Sequence, residues 1–450
     1  MRIKTIRHKT VQKEFTLAAW LLLSLSLSLP VQADMLGFSQ AIEQAQQNDN
    51  WLERSRLQEQ ALRERAISAG QLPDPKLRLA LANLPTDSFD FNQENMTQLQ
   101  FGVSQQFPRG DSLQLRQRQT QQRADSGPLA RAQRQATVTR QVASLWLNIY
   151  SQQAKIRLTE QNRALFEQLL EVAEANYRNG RSERHDLLKA ELELTRLEDR
   201  VTRLRQQREQ LRGQLALWLP SDLAGQLMPN ERPQILRAEP TVTPAHHALV
   251  DHPAVQLIDQ QISVAQTAVK LADQAYKPAW NLSAQYGYRD EMDTGRDRAD
   301  FASVAVSFDL PLFPEKRQDP QRRAAVHDVQ ALREARELAL RKLHSEWRTA
   351  EASLKQIDAR LALSDQLLTR FDGQRRAAMQ AYANGTADFT EVMQAAIGEL
   401  NTRLQRVQLH TEHQQNLLTI HYLLSPRQLI PELAAMKPSR PDVSSLELSQ

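Results

Sequence analysis

The sequence has no cysteine, only 13 glycines in 450 residues, 6% aromatics and a mean hydropathy of -0.57. Without cysteine there is no disulfide scaffold, and a chain this polar is not a polytopic bundle of membrane helices. Scarce glycine and aromatics favour helix over an all-β sandwich. Long hydrophobic runs are also missing, with one exception at the amino terminus. What is present, 41% hydrophobic and 24% charged residues, suffices for a buried core and excludes global disorder. A formal net charge of +4 raises nucleic acid or anionic lipid as a partner.

The exception explains the charge. Arg2, Lys4, Arg7, Lys9 and Lys13 precede an apolar stretch from Phe15 to Leu29, and Val31 and Ala33 stand where a signal peptidase reads small residues. Residues 1–33 are therefore expected to be a secretory signal peptide, too short in its apolar part for a membrane span. The leader holds five of the 57 basic and one of the 53 acidic residues, which leaves 52 of each and a formally neutral mature chain. The composition argument for nucleic acid disappears with it. Residue 34 is Asp and no cysteine exists to carry a lipid, so no lipid anchor is expected.

The remainder repeats itself. YRNGRSERHDLLKAELEL from Tyr177 answers YANGTADFTEVMQAAIGEL from Tyr382, an offset of 205. GQLPDPKLRLA around Pro73 answers AYKPAWNLSA around Pro278 at the same offset, and VSQQFP at Val103 answers VSFDLP at Val306. Two copies follow, 34–219 and 246–425, joined by a proline-rich linker at 220–245 and followed by a loose tail at 426–450. Each copy reads as helix, β-hairpin, very long helix, tight turn and helix.

In the first copy the helical pattern runs from Ala41 to Gly70 and again from Ser112 to Tyr177, with a blemish at Gly127 and Pro128. The hairpins are expected at 76–107 and 279–310, because Leu77, Leu79 and Leu81, and later Val304, Val306 and Phe308, alternate with small or polar residues. From Leu187 to Trp218 the apolar spacing alternates three and four, a coiled-coil seam interrupted at Arg208. Strands of about ten residues with one apolar face have the length of membrane-spanning strands. A bilayer tolerates no open sheet edge and an ordinary barrel needs about eight strands, so several copies must close one barrel. The fold class is thus mainly α with membrane β: long antiparallel coiled-coil helices plus two hairpins, four strands per chain.

The paired turns YRNG and YANG, with the strand starts LPDPKL and YKPAWNL, resemble the TolC-like outer membrane factors over essentially the whole mature chain. That resemblance implies a homotrimer, a shared 12-stranded outer-membrane barrel and a periplasmic α-helical tunnel. It also implies an adaptor protein and an inner-membrane pump, RND type, as partners. LPDPKLRLALANLPTDSF and ENMTQLQFGVSQQFPRG further resemble the CzcC and CusC-type branch associated with heavy-metal cations. Drug efflux and type I secretion are the alternative cargoes, and a soluble periplasmic coiled-coil scaffold is the alternative from another class.

Four acids recur at the two helical tips, near 177–186 and 382–391: Glu183 answers Asp388, and Asp186 answers Glu391. Rings of carboxylates would concentrate cations at a gate, while acids in a first helical turn also suit the exposed N–H groups there. Tyr177, Asn179, Gly180, Tyr382, Asn384 and Gly385 shape the turns and, by the resemblance, meet the adaptor. His246, His247 and His252, and His410 with His413, lack the matched ligand set of a metal site. Arg109, Gly110 and Asp111 read as a turn. No catalytic residue, cofactor or resident metal is expected.

Overall fold

The computed structural model describes residues 37–180, 183–220, 223, 227, 229, 235, 245–291, 295–384 and 386–424. The expected leader and tail, Arg181, Gly385 and most of the linker lie outside the described residues.

The first helical pattern divides into α1 (Phe38–Gln47) and α2 (Asn50–Ala69). Asp49 makes the break: its carboxylate accepts the Trp51 N–H at 3.1 Å and takes Arg134 at 2.7 Å. A side chain that binds its own backbone ends one helix and starts the next. The long pattern after the first hairpin divides as well, into α3 (Ser112–Ala124) and α4 (Ser126–Arg178). Pro128 has no N–H for the Ala124 carbonyl four residues back, which interrupts the ladder there.

α5 (Arg184–Leu215) returns along α4. Ala190, Leu197, Val201 and Leu215 of its seam are buried, and Arg208, the polar interruption, donates to Gln153 across the pair at 2.8 Å. The linker is tied down where it is described. The buried Arg212 donates to the Leu227 carbonyl at 2.6 Å, and the Ile235 N–H donates to Gln414 at 2.5 Å. The second copy contributes α6 (Ala245–Val250), α7 (Pro253–Asp273), an unbroken α8 (Gln318–Ala383) and α9 (Phe389–Leu424). At 1.5 Å per residue the 66 residues of α8 span about 100 Å. α8 and α9 approach closely: a Cβ on Gly398 would stand 2.5 Å from the Phe371 ring.

Strands β1 (Lys76–Ala82), β2 (Gln98–Phe107), β3 (Trp280–Tyr288) and β4 (Phe301–Phe308) form one antiparallel sheet in chain order. Registers such as Leu79↔Phe101, Phe101↔Tyr286 and Leu282↔Val306 collect the apolar residues on one face. Arg78, Gly102, Gln285 and Ser303 line up on the other. Below the sheet the Arg109–Gly110–Asp111 turn joins the two copies. Arg109 pairs with Asp309 at 3.1 Å, Asp111 pairs with Lys277 at 3.1 Å, and Gly110 supplies the left-handed φ of +45°.

Candidate gate and membrane face

The apolar face of the sheet is bare. Leu77 is 71% exposed and Val304 74%, and among the described residues no helix packs over them. Among the described residues both edge strands, β1 and β4, keep free ladder groups. An exposed apolar face with two open edges is an aggregation hazard in water. It is removed if lipid covers the face and further strands take the edges.

At the other end, the two helical hairpins turn by the residue types the sequence marks. Asn179 caps α4 by donating to the Ala175 carbonyl at 3.1 Å, and Gly180 takes φ +68° with open space around its Cα. Asn384 caps α8 through the Gln380 carbonyl, and Thr386 donates to the Ala381 carbonyl at 2.9 Å. The four acids differ in their surroundings. Asp388 accepts the Thr390 N–H at 3.2 Å and so caps α9, whereas Glu183 precedes α5 without a side-chain cap. Glu183, Asp388 and Glu391 are exposed, and Asp186 is buried within the chain.

Periodicity gave no hint of the contacts that join one hairpin to the other. Asn176 donates to the Tyr382 hydroxyl at 2.8 Å, Lys189 to Thr390 at 2.7 Å and Arg200 to Asn401 at 2.9 Å. The last two pairs share an offset of 201, so α5 and α9 run side by side in register. Tyr177 and Tyr382, equivalent in the repeat, part company here: Tyr177 is 43% exposed, while Tyr382 packs on Phe389 with ring centroids 5.5 Å apart. Beneath them Phe166, Leu169, Leu197, Phe389, Val392 and Leu400 form a core drawn from α4, α5 and α9.

The histidines serve the fold. His252 is buried and caps α7, its Nδ1 accepting the Ala254 N–H at 3.2 Å, and burial pushes its pKa down to about 4. His413 faces Asp358 at 3.2 Å. The side chains of His246 and His247 are outside the described set. Among the described residues no three His, Cys, Asp or Glu side chains are placed to hold a metal ion.

Residues 245–425, the second copy, match the family model for Outer membrane efflux protein. Over that second copy the chain is similar to outer membrane efflux proteins. Its fold is shared across both copies with solved channels. CusC aligns at TM-score 0.70 and 16% identity, over 86% of this chain and 91% of that one. The outer-membrane channel OprN aligns at 0.73 and 16%, over 87% and 90%. The outer membrane protein VceC from Vibrio cholerae aligns at 0.70 and 18%, over 86% and 95%. Curated proteins yield no match.

Proposed function

We propose that this chain is an outer membrane efflux protein, the passive exit duct of a tripartite assembly, driven by an inner-membrane pump of RND type and sealed to it by a periplasmic adaptor. The observation that carries the reading is the bare apolar sheet with two open edges. Because β1 and β4 run in opposite directions, β4 of one copy can pair antiparallel with β1 of the next, and three copies would close a 12-stranded barrel. The apolar face would meet lipid, and the small polar face would line water. The hairpin tips, with Tyr177, Asn179, Gly180, Tyr382, Asn384 and Gly385, are the surface offered to the adaptor.

Heavy-metal cations are the proposed cargo, supported by the exposed acids at the tips and by the likeness to CusC. Purified protein should need detergent and conduct in planar bilayers, and a protein that stays soluble without detergent and does not conduct loses the duct reading. For the cargo, a deletion strain should become sensitive to copper, zinc or cobalt. Sensitivity to hydrophobic drugs alone would reassign it.

Two smaller effects test the tips. Asp388→Ala with Glu391→Ala should lower cation preference in bilayers, and should cost about 1 kcal/mol at the α9 terminus through the lost cap. Unchanged selectivity with that stability loss would leave the acids as caps only. Tyr382→Phe should loosen the tie between hairpins by about 1 kcal/mol. Faster hydrogen exchange at 176–190 and 382–392 is the expected readout, and unchanged exchange would remove the bond to Asn176 as a latch.

A further inference from the structure

The β1–β2 connection, residues 83–97, and the β3–β4 connection lie at the same end of the sheet, away from the helices. The first is ordered by its own bonds. Asn83, at φ +56°, donates to the Met96 carbonyl at 3.0 Å, and the buried Thr97 donates to the Asn83 carbonyl at 2.8 Å. The Phe89 N–H closes a turn onto Pro85 at 3.0 Å, and Asp90 accepts the Asn92 N–H at 2.9 Å.

Two arginines of the other hairpin then grip this loop. Arg298 donates from Nη1 to the Glu94 carbonyl at 2.7 Å and from Nη2 to the Asn92 carbonyl at 3.4 Å. In its own loop it holds the Asp290 carbonyl at 2.5 Å and the Glu291 carbonyl at 3.0 Å. These acceptors are all main-chain oxygens, so the contact fixes the path of the loop whatever side chains it carries. A planar guanidinium with five donors suits that task, and a single ammonium does not.

The direction of the loop follows from the faces of the strands. Phe301 alternates with Ser303, Ala305 and Ser307 on the polar face. Arg289 lies over the Phe301 ring at 3.8 Å and donates to the Asn95 carbonyl at 3.2 Å, which draws the loop to the polar side. Consistently, Gln98, on the polar face at the loop's base, is buried at 7% exposure and occupies the space over Gly287, where a Cβ would meet its amide. The opposite, apolar face stays bare.

We propose that Arg298 is the positioning residue of an exit lid: it holds residues 83–97 inward over the outer mouth of the barrel and thereby limits the size of solute that passes. The inference rests on the duct reading above. The absence of native cysteine allows a direct test in the full-length protein on intact cells. Ser283→Cys sits on the polar face of β3 below the mouth and is exposed to maleimides of graded polyethylene glycol length added from outside. The unmutated lid should admit the small reagents and exclude the long ones. In Arg298→Ala the long reagents should label about tenfold faster, the change that about 1.4 kcal/mol makes, with Arg298→Lys between the two. Heat-resistant assembly, followed on gels, certifies that each variant is folded. An identical size limit in folded Arg298→Ala and Arg298→Lys overturns the lid and leaves the duct intact. If even the smallest reagent fails to reach Ser283→Cys in every background, the polar face lines no water path, and the duct falls with the lid.

Discussion

Phe389→Ala is expected to release the helical tips. Phe389 opens α9, is fully buried, and packs against Tyr382 on one side and the shared core on the other. Cutting a buried Phe to Ala costs about 3–5 kcal/mol, from lost transfer energy and from the cavity left behind. The site cannot collapse easily, since Val392 and Leu400 are held one and three turns further along the same helix, and Phe166 and Leu169 on another. The loss therefore falls on the hairpin turn. Tyr382 loses the ring it rests on, and with it the geometry of the Asn176 bond, so both the apolar and the polar ties between the hairpins weaken together. Cells carrying the variant should admit large antibiotics that an intact outer membrane excludes, and exchange at the tips should speed up strongly. Phe389→Leu keeps most of the packing and should do neither. Unaltered exchange in Phe389→Ala would show that the hairpins are held from elsewhere.

The four strands and the two helical turns were legible because each leaves a local period or a repeated landmark. Alternation of Leu77, Leu79 and Leu81 is visible in the chain, and the structure keeps those side chains on one face. The helix break at Asp49 was not legible, since apolar spacing continues through it while the deciding event is a carboxylate bonding its own backbone and Arg134, 85 residues away. The break at Asp125 showed only as the Gly127 and Pro128 blemish. At the candidate gate the four acids were found by duplication, yet duplication equates positions that packing then separates. Asp186 is buried where Glu391 is exposed, and Tyr177 is exposed where Tyr382 is packed. An offset of 205 names equivalent residues, whereas neighbours across α5 and α9 stand 201 apart, a number set by how the helices lie and by nothing local. Arg298 left no trace for a related reason. Its partners are carbonyls, which every residue has.

Acidification should weaken the joint around His252 in a narrow window. The imidazole is fully buried, takes the Ala254 N–H on Nδ1, and meets the Tyr422 ring edge-on at 5.1 Å. On its other sides Tyr422 carries Arg140, 4.1 Å above the ring, and a bond from Gln133 to its hydroxyl at 2.8 Å. Burial disfavours the charged ring most, Arg140 adds to that, and a contact with the Tyr422 backbone opposes it, giving a pKa of about 4 against an ordinary 6.5. The unfolded chain therefore takes up a proton below pH 6.5 that the folded chain refuses until about pH 4. Stability is whole above pH 6.5, falls as pH drops through that window, and levels off below it, a total of about 3 kcal/mol from this group. Carboxylates titrate over part of the same range, so the measurement is a difference. His252→Asn keeps a capping side chain and removes the titration. Denaturation midpoints of the detergent-solubilised protein between pH 7 and pH 4 should converge, with wild type the more stable at pH 7 and its advantage shrinking toward pH 4. Parallel curves across the window would mean that His252 does not change its proton affinity on folding, and that the acid response of the helical joint arises from its ion pairs.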